Sequence, residues 1–494
     1  MTQYEVIRQR HVEHAMGRLP QHLERVNWSA ERLRTERTAR LRNLLTIASS
    51  RSPWHRARLS GVDVDMFHED RIRELPVMTK SDLMGHFDDI VTDNRVTLDL
   101  VNAHVAGLTT DAYLLDEYHT FVSGGSSGVR GVFVWGWEPW ADTYLTFIRG
   151  VLTNFERNPP TEPREWVSMV VAAEVAVHMT SAMGQTFASS AFPVHRFPVT
   201  LPLEAIIDGL NRVNGGQLIT YPSMLAMLAA EARSGRLTIS PRQIVTTSEP
   251  LLPEIREAAF DAWGAPIANL WACSEGGNLA LGCFRDTGMH LCDDFVIIEP
   301  VDESGAPVPA GSQSAKMYLT NLYNPLLPII RYEITDQVTL LDSPCSCGSQ
   351  HRRIADIQGR LDDVFRYADG VVVHPHIFRS VLGRDARIIE YQVRQTERGA
   401  AVLLRTREPT ELKGLERAQP PFDHCQHCRP YLAGRDRQVE AVRAARSVHG
   451  MRGAPGLTSS TDQTRSALRF LLPAGRSFPS SSDCPSDSCP GESP

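Results

Sequence analysis

The stretch Thr120–Gly131, TFVSGGSSGVRG, decides how the chain is read. Seven of its twelve residues are Gly or Ser. It lies between AYLLDEYH, which has strand character, and VFVWGWEPWADTYLTFIRGVL, which passes from strand-like to helix-like. Glycine lets other groups approach the backbone closely, and successive N–H groups in such a loop form a nest for anions. Ser126 and Ser127 add hydroxyl donors, so a phosphate cradle is one reading. A plain surface linker has the same composition and is the other. No GK[ST] follows, and the G-x-G-x-x-G spacing is missing, which sets aside the Walker and dinucleotide-binding loops.

Outward from this loop, from 120 to 300, short apolar strands alternate with helical segments: EWVSMVVAA, PLEAIIDGLNRV, QLITY, PSMLAMLAAEARSG, RQIVTTS, PEIREAAFDAWG and PIANLWACS. That alternation predicts an α/β fold with a largely parallel sheet. Residues 1–60 carry helical patterning, clearest in AERLRTERTARLRNLLTIA, and LPVMTKSDLMGHF reads as a turn, a cap at Thr79 or Ser81, and a helix. FVIIEPVDESGAPVPAGSQSAKMYLTNL predicts a hairpin-like β region. After IQGRLDD the pattern restarts as a small α+β unit. Beyond about residue 418 the chain turns rich in Pro, Ser, Cys and His and loses periodicity, the composition of a disordered tail.

The chain has 494 residues, enough for two or three domains. A hydrophobic share of 42% with 22% charge is that of a globular protein, and the net charge of −7 offers no general attraction to nucleic acid or anionic membrane. The first residues are charged throughout and no apolar run approaches a membrane span of about 20 residues, so a cytoplasmic protein is expected. Of 51 basic residues only Lys80, Lys316 and Lys413 are lysine. The nine cysteines are clustered, which in a cytosolic chain points to metal before disulfide.

Further along lie TTSEPL at 246–251, LWACSEGG at 270–277, RYEITD at 331–336 and GRLDD at 359–363. Taken with the loop and in this order, they resemble the acyl-adenylate-forming ligases, and within them the phenylacetate–CoA ligase branch. The resemblance covers roughly residues 70–415. It implies a large N-terminal adenylate-forming domain with mixed and parallel sheets, 1–358, and a small C-terminal α+β domain, 359–417, followed by an atypical stretch, 418–494. It also implies activation of a carboxylic acid, aryl or arylacetic, as an acyl-AMP and transfer to coenzyme A. An amine or a carrier-protein thiol as acceptor, or a non-catalytic ATP-binding homologue, remain as alternatives.

The same resemblance assigns roles by position. Ser123, Gly124, Gly125, Ser126, Ser127 and Gly128 would contact the ATP phosphates, with Arg130 near a usual basic position. Ser248, Glu249 and Pro250 would wall the adenine and Trp271 stack near it. Ser274 would touch the α-phosphate and Glu275 hold Mg²⁺, a hard cation suited to a carboxylate. Asp336 would accept the ribose hydroxyls, with Arg331 and Tyr332 nearby, and Arg360 would make a second ribose contact, beside the hinge residue Asp362. Taken singly, Asp336 also reads as a turn cap and Glu275 as a solvated acid. His178 lies where relatives line the acyl pocket; a core histidine is the plainer reading. Trp135, Trp137 and Trp140 read as packing. ATP, Mg²⁺, CoA and a small acid are therefore the expected partners, with no nucleic acid or membrane, and homodimerisation left open.

GCFRDTGMHLC and SPCSCGSQ bring Cys283, His290, Cys345 and Cys347, three thiols and an imidazole, a common closed set for structural Zn²⁺ that also occurs in this branch. Cys292 rivals His290, and free buried cysteine is the plainer reading. HCQHC at 424–428 has metal spacing but lies in the atypical stretch. Relatives carry a lysine near the C-terminus that approaches the reacting carboxylate. Here no lysine follows Lys413, so either the chain departs from the family pattern near 418 or an arginine such as Arg446 or Arg452 stands in.

Overall fold

The computed structural model describes residues 2–123, 131–157, 167–174, 176–188, 193–199, 201–357, 365–366, 372–373, 388–396, 399–406 and 466–471. Two units divide the chain, Met1–Asp363 and Val364–Pro494.

The first unit opens with helices α1 (Gln3–Arg25), α2 (Ala30–Arg51), α3 (Pro53–Arg58), α4 (Lys80–Gly85), α5 (Phe87–Ile90) and α6 (Leu98–Gly107). Local chemistry sets their starts. Thr2 and Glu5 form a reciprocal capping box on α1, and Thr79 and Asp82 form another on α4. Of the two caps expected for α4, Thr79 is the one used. The hairpin β1 (His119–Val122) and β2 (Val132–Trp135) follows, then the long helix α7 (Trp137–Arg157), against which α1 packs.

Next come β3 (Ser168–Ala172), α8 (Met179–Thr186), β4 (Val194–Pro198), α9 (Leu203–Val213), β5 (Gln217–Thr220), α10 (Pro222–Arg233), β6 (Gln243–Thr247), α11 (Pro253–Trp263), β7 (Ile267–Cys273), β8 (Gly277–Gly282) and β9 (Met289–Leu291). A β-rich part closes the unit: β10 (Val296–Val301), β11 (Lys316–Asn321), β12 (Tyr332–Ile334), β13 (Leu340–Leu341) and β14 (Arg353–Ile354).

Nine of these strands form one mixed sheet in the order β13-β14-β9-β8-β7-β6-β5-β3-β4. From β4 to β7 every pairing is parallel; from β7 onward every pairing is antiparallel. Strands β3 and β6 are buried along their whole length, as parallel strands covered on both faces are; SMVVA is a near-continuous apolar run, whereas β6 also buries Gln243, Thr246 and Thr247. On one face Ile206, Ile207 and Leu210 of α9 and Leu225 and Leu228 of α10 pack with Met169, Val171, Leu218 and Ile244 of the sheet. Strands β10, β11 and β12 make a separate antiparallel sheet, the hairpin read from the sequence.

A buried ion network ties the N-terminal helices to this frame. Arg149 of α7 donates to both carboxylate oxygens of Asp294, at 2.6 and 2.8 Å. Burial alone would raise the Asp294 carboxyl, but Arg149 brings it well below the usual range, so the pair stays charged. Arg25 reaches the same carboxylate from α1 at 3.5 Å. Removing one partner of such a pair costs about 3–5 kcal/mol.

In the second unit β15 (Phe365–Arg366) pairs antiparallel with β16 (Val372–Val373). β17 (Ile388–Thr396), β18 (Gly399–Thr406) and β19 (Ser466–Leu471) form an antiparallel sheet with β18 central. No helix among the described residues is long and apolar enough to cross a membrane.

Candidate active site

Parallel strands of an open α/β sheet present their carboxyl ends to a crevice. At those ends of β6 and β7 lie two of the motifs. Ser248 follows β6 with φ 66°, a left-handed conformation unusual for serine. Beside it the buried Glu249 accepts the N–H of Ser223 in the first turn of α10 at 2.9 Å, and Pro250 is half-buried. The carboxylate thus satisfies a helix donor that would otherwise be orphaned.

The turn Ser274–Gly276 joins β7 to β8. Each of its carbonyls is held by a side chain from elsewhere. Trp135 Nε1 donates to Ser274 O at 3.0 Å, Asn321 Nδ2 to Glu275 O at 3.0 Å, and Tyr323 Oη to Gly276 O at 3.1 Å. Glycine is required next in sequence: Gly277 has φ 70°, and a Cβ there would lie 2.2 Å from Tyr323 Oη. The Glu275 residue is only 5% exposed.

Trp271 and Asp336, 65 residues apart, meet. The indole Nε1 donates to Asp336 Oδ2 at 2.8 Å, and both residues are buried. The bond joins the 270–277 motif to the 331–336 motif directly.

Ser123 stands at the neck of the hairpin loop. Its N–H donates to Gly131 O at 3.0 Å, and its Oγ accepts the Gly131 N–H at 3.1 Å. A Cβ on Gly131 would lie 2.8 Å from that Oγ, so the neck closes only around glycine. Gly124, Gly125, Ser126, Ser127, Gly128 and Arg130 lie outside the described residues, as do Arg360 and Asp362. Lys80 Nζ also donates to Ser123 Oγ, at 3.3 Å. No role was read for Lys80 in the sequence; its rarity as a lysine and its place in the α4 capping box were the available signals.

Arg331 is committed elsewhere. Its Nε and Nη2 engage Glu299 at 3.0 and 3.1 Å, and Nη1 donates to the carbonyls of Arg73 and Leu75. With φ 47° it is a buried cross-brace between β10, β12 and the segment before α4. Tyr332 is buried beside it. His178 is exposed at the N-cap of α8. Trp135 and Trp140 are fully buried, as packing residues are, yet Trp135 also holds the 274–276 turn.

Away from this end, Cys283, His290, Cys345 and Cys347 bring one ligand atom each within 4.8 Å of one another. Cys283 Sγ lies 3.3 Å from Cys345 Sγ, and Cys347 Sγ 3.3 Å from His290 Nε2. His290 Nδ1 lies 3.2 Å from His351 O; donation there leaves Nε2 as a ligand. The N–H groups of Arg285 and Asp286 point at Cys283 Sγ, at 3.4 and 3.3 Å, and Gly348 turns the chain after the C-x-C pair with φ 83°. Contacts from Cys283 and His290 hold the Cys347 thiol well below the usual thiol range. Cys292 is not in this group. It is buried against Arg149, and burial pushes its thiol up to about 12. Cys425 and Cys428 lie outside the described residues.

No family model matches the chain. In sequence it is 29% identical over 211 residues to the phenylacetate–coenzyme A ligase of Thermus thermophilus, a match that takes in 41% of this chain and 45% of that one. The chain therefore spans under half the length of that curated relative. Among solved structures, 2-hydroxyisobutyryl-CoA ligase in its postadenylation state with R3-HIB-AMP superposes with a TM-score of 0.56 at 18% identity, over 75% of this chain and 76% of that one. An open conformation of the same ligase with 2-HIB-AMP and CoA gives 0.55 at 19%, over 74% and 84%. With its mixed nine-stranded sheet flanked by helices, the chain has the fold of the acyl-adenylate-forming CoA ligases, and in sequence it is similar to their phenylacetate–CoA ligase branch.

Proposed function

We propose that the chain is an ATP-dependent, AMP-forming acid–CoA ligase acting on an aryl or arylacetic acid. The observation that carries the reading is the hydrogen bond from Trp271 to Asp336 at 2.8 Å, beside the buried Glu275 turn at the carboxyl ends of the sheet. On this reading Asp336 accepts the ribose hydroxyls and Trp271, Ser248 and Pro250 wall the adenine. Ser123, Ser126 and Ser127 donate hydroxyls to the phosphates, the N–H groups of 124–128 line them, and Lys80 adds a cation at the neck.

The acid's carboxylate oxygen attacks the α-phosphorus, and the bond to the bridging oxygen breaks to release pyrophosphate. The thiol sulfur of CoA then attacks the acyl carbon and AMP leaves. The first step brings two anions together, so fixed hydroxyls and cations are most useful where that charge gathers. Mg²⁺ bound at Glu275 would offset phosphate charge. Ser274 orients the α-phosphate, and Arg360 makes the second ribose contact. His178 faces the acyl side.

Cys283, His290, Cys345 and Cys347 fit one structural Zn²⁺. Three sulfurs and one imidazole within 4.8 Å suit a closed tetrahedral site.

We read 1–358 as the large domain, 359–417 as the small one, and 418–494 as dispensable for binding nucleotide. Limited proteolysis that trims the last stretch should leave ATP affinity unchanged. Pyrophosphate exchange across a panel of acids tests the whole reading. Acid-dependent exchange with CoA-dependent AMP release supports it. Exchange without CoA dependence points to an amine or carrier thiol as acceptor, and ATP binding without exchange to a non-catalytic homologue.

A further inference from the structure

At the amino ends of the same strands lies a cleft that this reading does not use. Its volume is about 380 Å³, within the range of small-molecule sites. Gln243 opens β6, Pro266 precedes β7, and Phe284 and Arg285 follow antiparallel β8, so all meet at one edge of the sheet. Ser248 and Ser274 follow the opposite ends of β6 and β7. Five residues of β6 separate the two edges by roughly 15 Å.

The lining has three kinds of group. Arg242 and Arg285 bring guanidinium groups, and Arg285 has no acidic partner among the described residues. Phe155 and Phe284 bring rings. Phe284 is held at φ 61°, a left-handed conformation that phenylalanine rarely adopts, next to Cys283 of the knuckle. Gln243 is 2% exposed; its Oε1 accepts from Asn154 Nδ2 at 2.7 Å, and its Nε2 has no hydrogen-bond partner. Gln217, its cross-strand neighbour, repeats the pattern: 2% exposed, Oε1 taken by Ser168 Oγ, Nε2 without a partner. Buried amide donors are ordinarily satisfied, so this edge calls for an acceptor. Asp286, bonded to the lining residue Ser346, has its carboxylate engaged by the Ser346 N–H and Oγ, both at 2.7 Å.

We propose that this cleft is a second binding site, for a small aromatic carboxylate. The carboxylate lies between Arg242 and Arg285 and accepts from the Gln243 amide; the ring lies against Phe155 and Phe284. Guanidinium groups pair with carboxylates in a planar, two-point manner, which suits a flat ligand. The site is independent of the adenylation reading and stands even if the front site does no chemistry.

The test is ¹⁹F relaxation of 4-fluorobenzoate titrated into the full chain, without ATP. Binding should persist in Asp336→Ala and in His178→Ala, the first at the proposed ribose contact and the second on the proposed acyl side of the front site. It should weaken by about tenfold or more in Arg242→Met/Arg285→Met, the loss expected for a charge-assisted pair. The exposed single variant Arg285→Met should weaken it in the same direction should the double variant melt early. 4-Fluorobenzylamine should not bind. No binding of the acid, equal affinity in the folded arginine variants, loss of binding in Asp336→Ala or His178→Ala, or equal binding of the amine would each overturn the proposal.

Discussion

Two tight turns at opposite edges of one sheet are fixed in different ways. The 274–276 turn owns none of the groups that hold it: Trp135, Asn321 and Tyr323 reach in from other elements to bond its three carbonyls. The knuckle around Cys345–Gly348 instead points Cys345 and Cys347 at Cys283 and His290, with sulfurs at 3.3 Å and no disulfide. The first is braced by neutral hydrogen bonds from a packed core. The second gathers ligand atoms that repel or compete for protons until a cation joins them. A loop of the first kind stays shaped as long as the core does, whereas the second depends on an ion as well.

Acid should abolish both turns at once, because it attacks the frame they share. His11, His22 and His55 are buried, and burial lowers each to about 4. Asp142, 3.5 Å from His22, works against that burial without overcoming it. Unfolded rings take up protons near pH 6.5, the folded ones only near 4, so stability is intact above 6.5 and falls as the pH drops from 6.5 towards 4. Each ring accounts for up to about 3 kcal/mol. Asp111, which burial raises to about 6, works in the opposite sense by nearly as much as one ring, so the three rings together prevail. Thermal melts across that window should show a steep decline; a flat profile breaks the argument.

Removing metal should break only one turn. Purified protein should contain about one zinc per chain, and Cys345→Ser should lose it and melt lower by on the order of 10 °C. Nucleotide binding at room temperature should survive. Metal analysis with calorimetry checks both halves, and a zinc-free protein of unchanged stability refutes the knuckle.

The converse variant is Asn321→Ala, which leaves the Glu275 carbonyl and the N–H groups of Tyr323 and Asn324 unbonded. It should cost about 1–3 kcal/mol, slow pyrophosphate exchange, and leave the zinc in place. Smaller still is Trp271→Phe, which keeps a ring but removes the donor to Asp336. Nucleotide affinity should fall by about 1 kcal/mol with little change in melting. Equal affinity by calorimetric titration would detach Asp336 from the nucleotide.

The strand–helix alternation from 120 to 300 was legible because it depends on local period, and the fold followed from it. The Trp271–Asp336 contact was approached only through motif order, since nothing local joins residues 65 apart. Arg331 shows the limit. Its neighbourhood to Asp336 in sequence suggested the nucleotide, but the partner that takes its guanidinium, Glu299, is fixed by the β10–β11–β12 pairing. Lys80 and Asn321 were missed for the same reason: their targets are set by tertiary packing. The four-residue knuckle was legible because cysteine and histidine spacing is itself chemical information.

Scarcity of lysine makes the contact between Lys80 and Ser123 a chemical footprint. The sequence has three lysines. Lys316 is tied to Glu333 at 2.7 Å, and Lys413 lies outside the described residues. An amine-reactive reagent therefore meets few competing side chains, and the acylation rate of one tryptic peptide reports on the neck of the loop. Saturating ATP should slow that single mass shift while leaving the Lys316 peptide unchanged, turning occupancy of the loop into a number without any turnover.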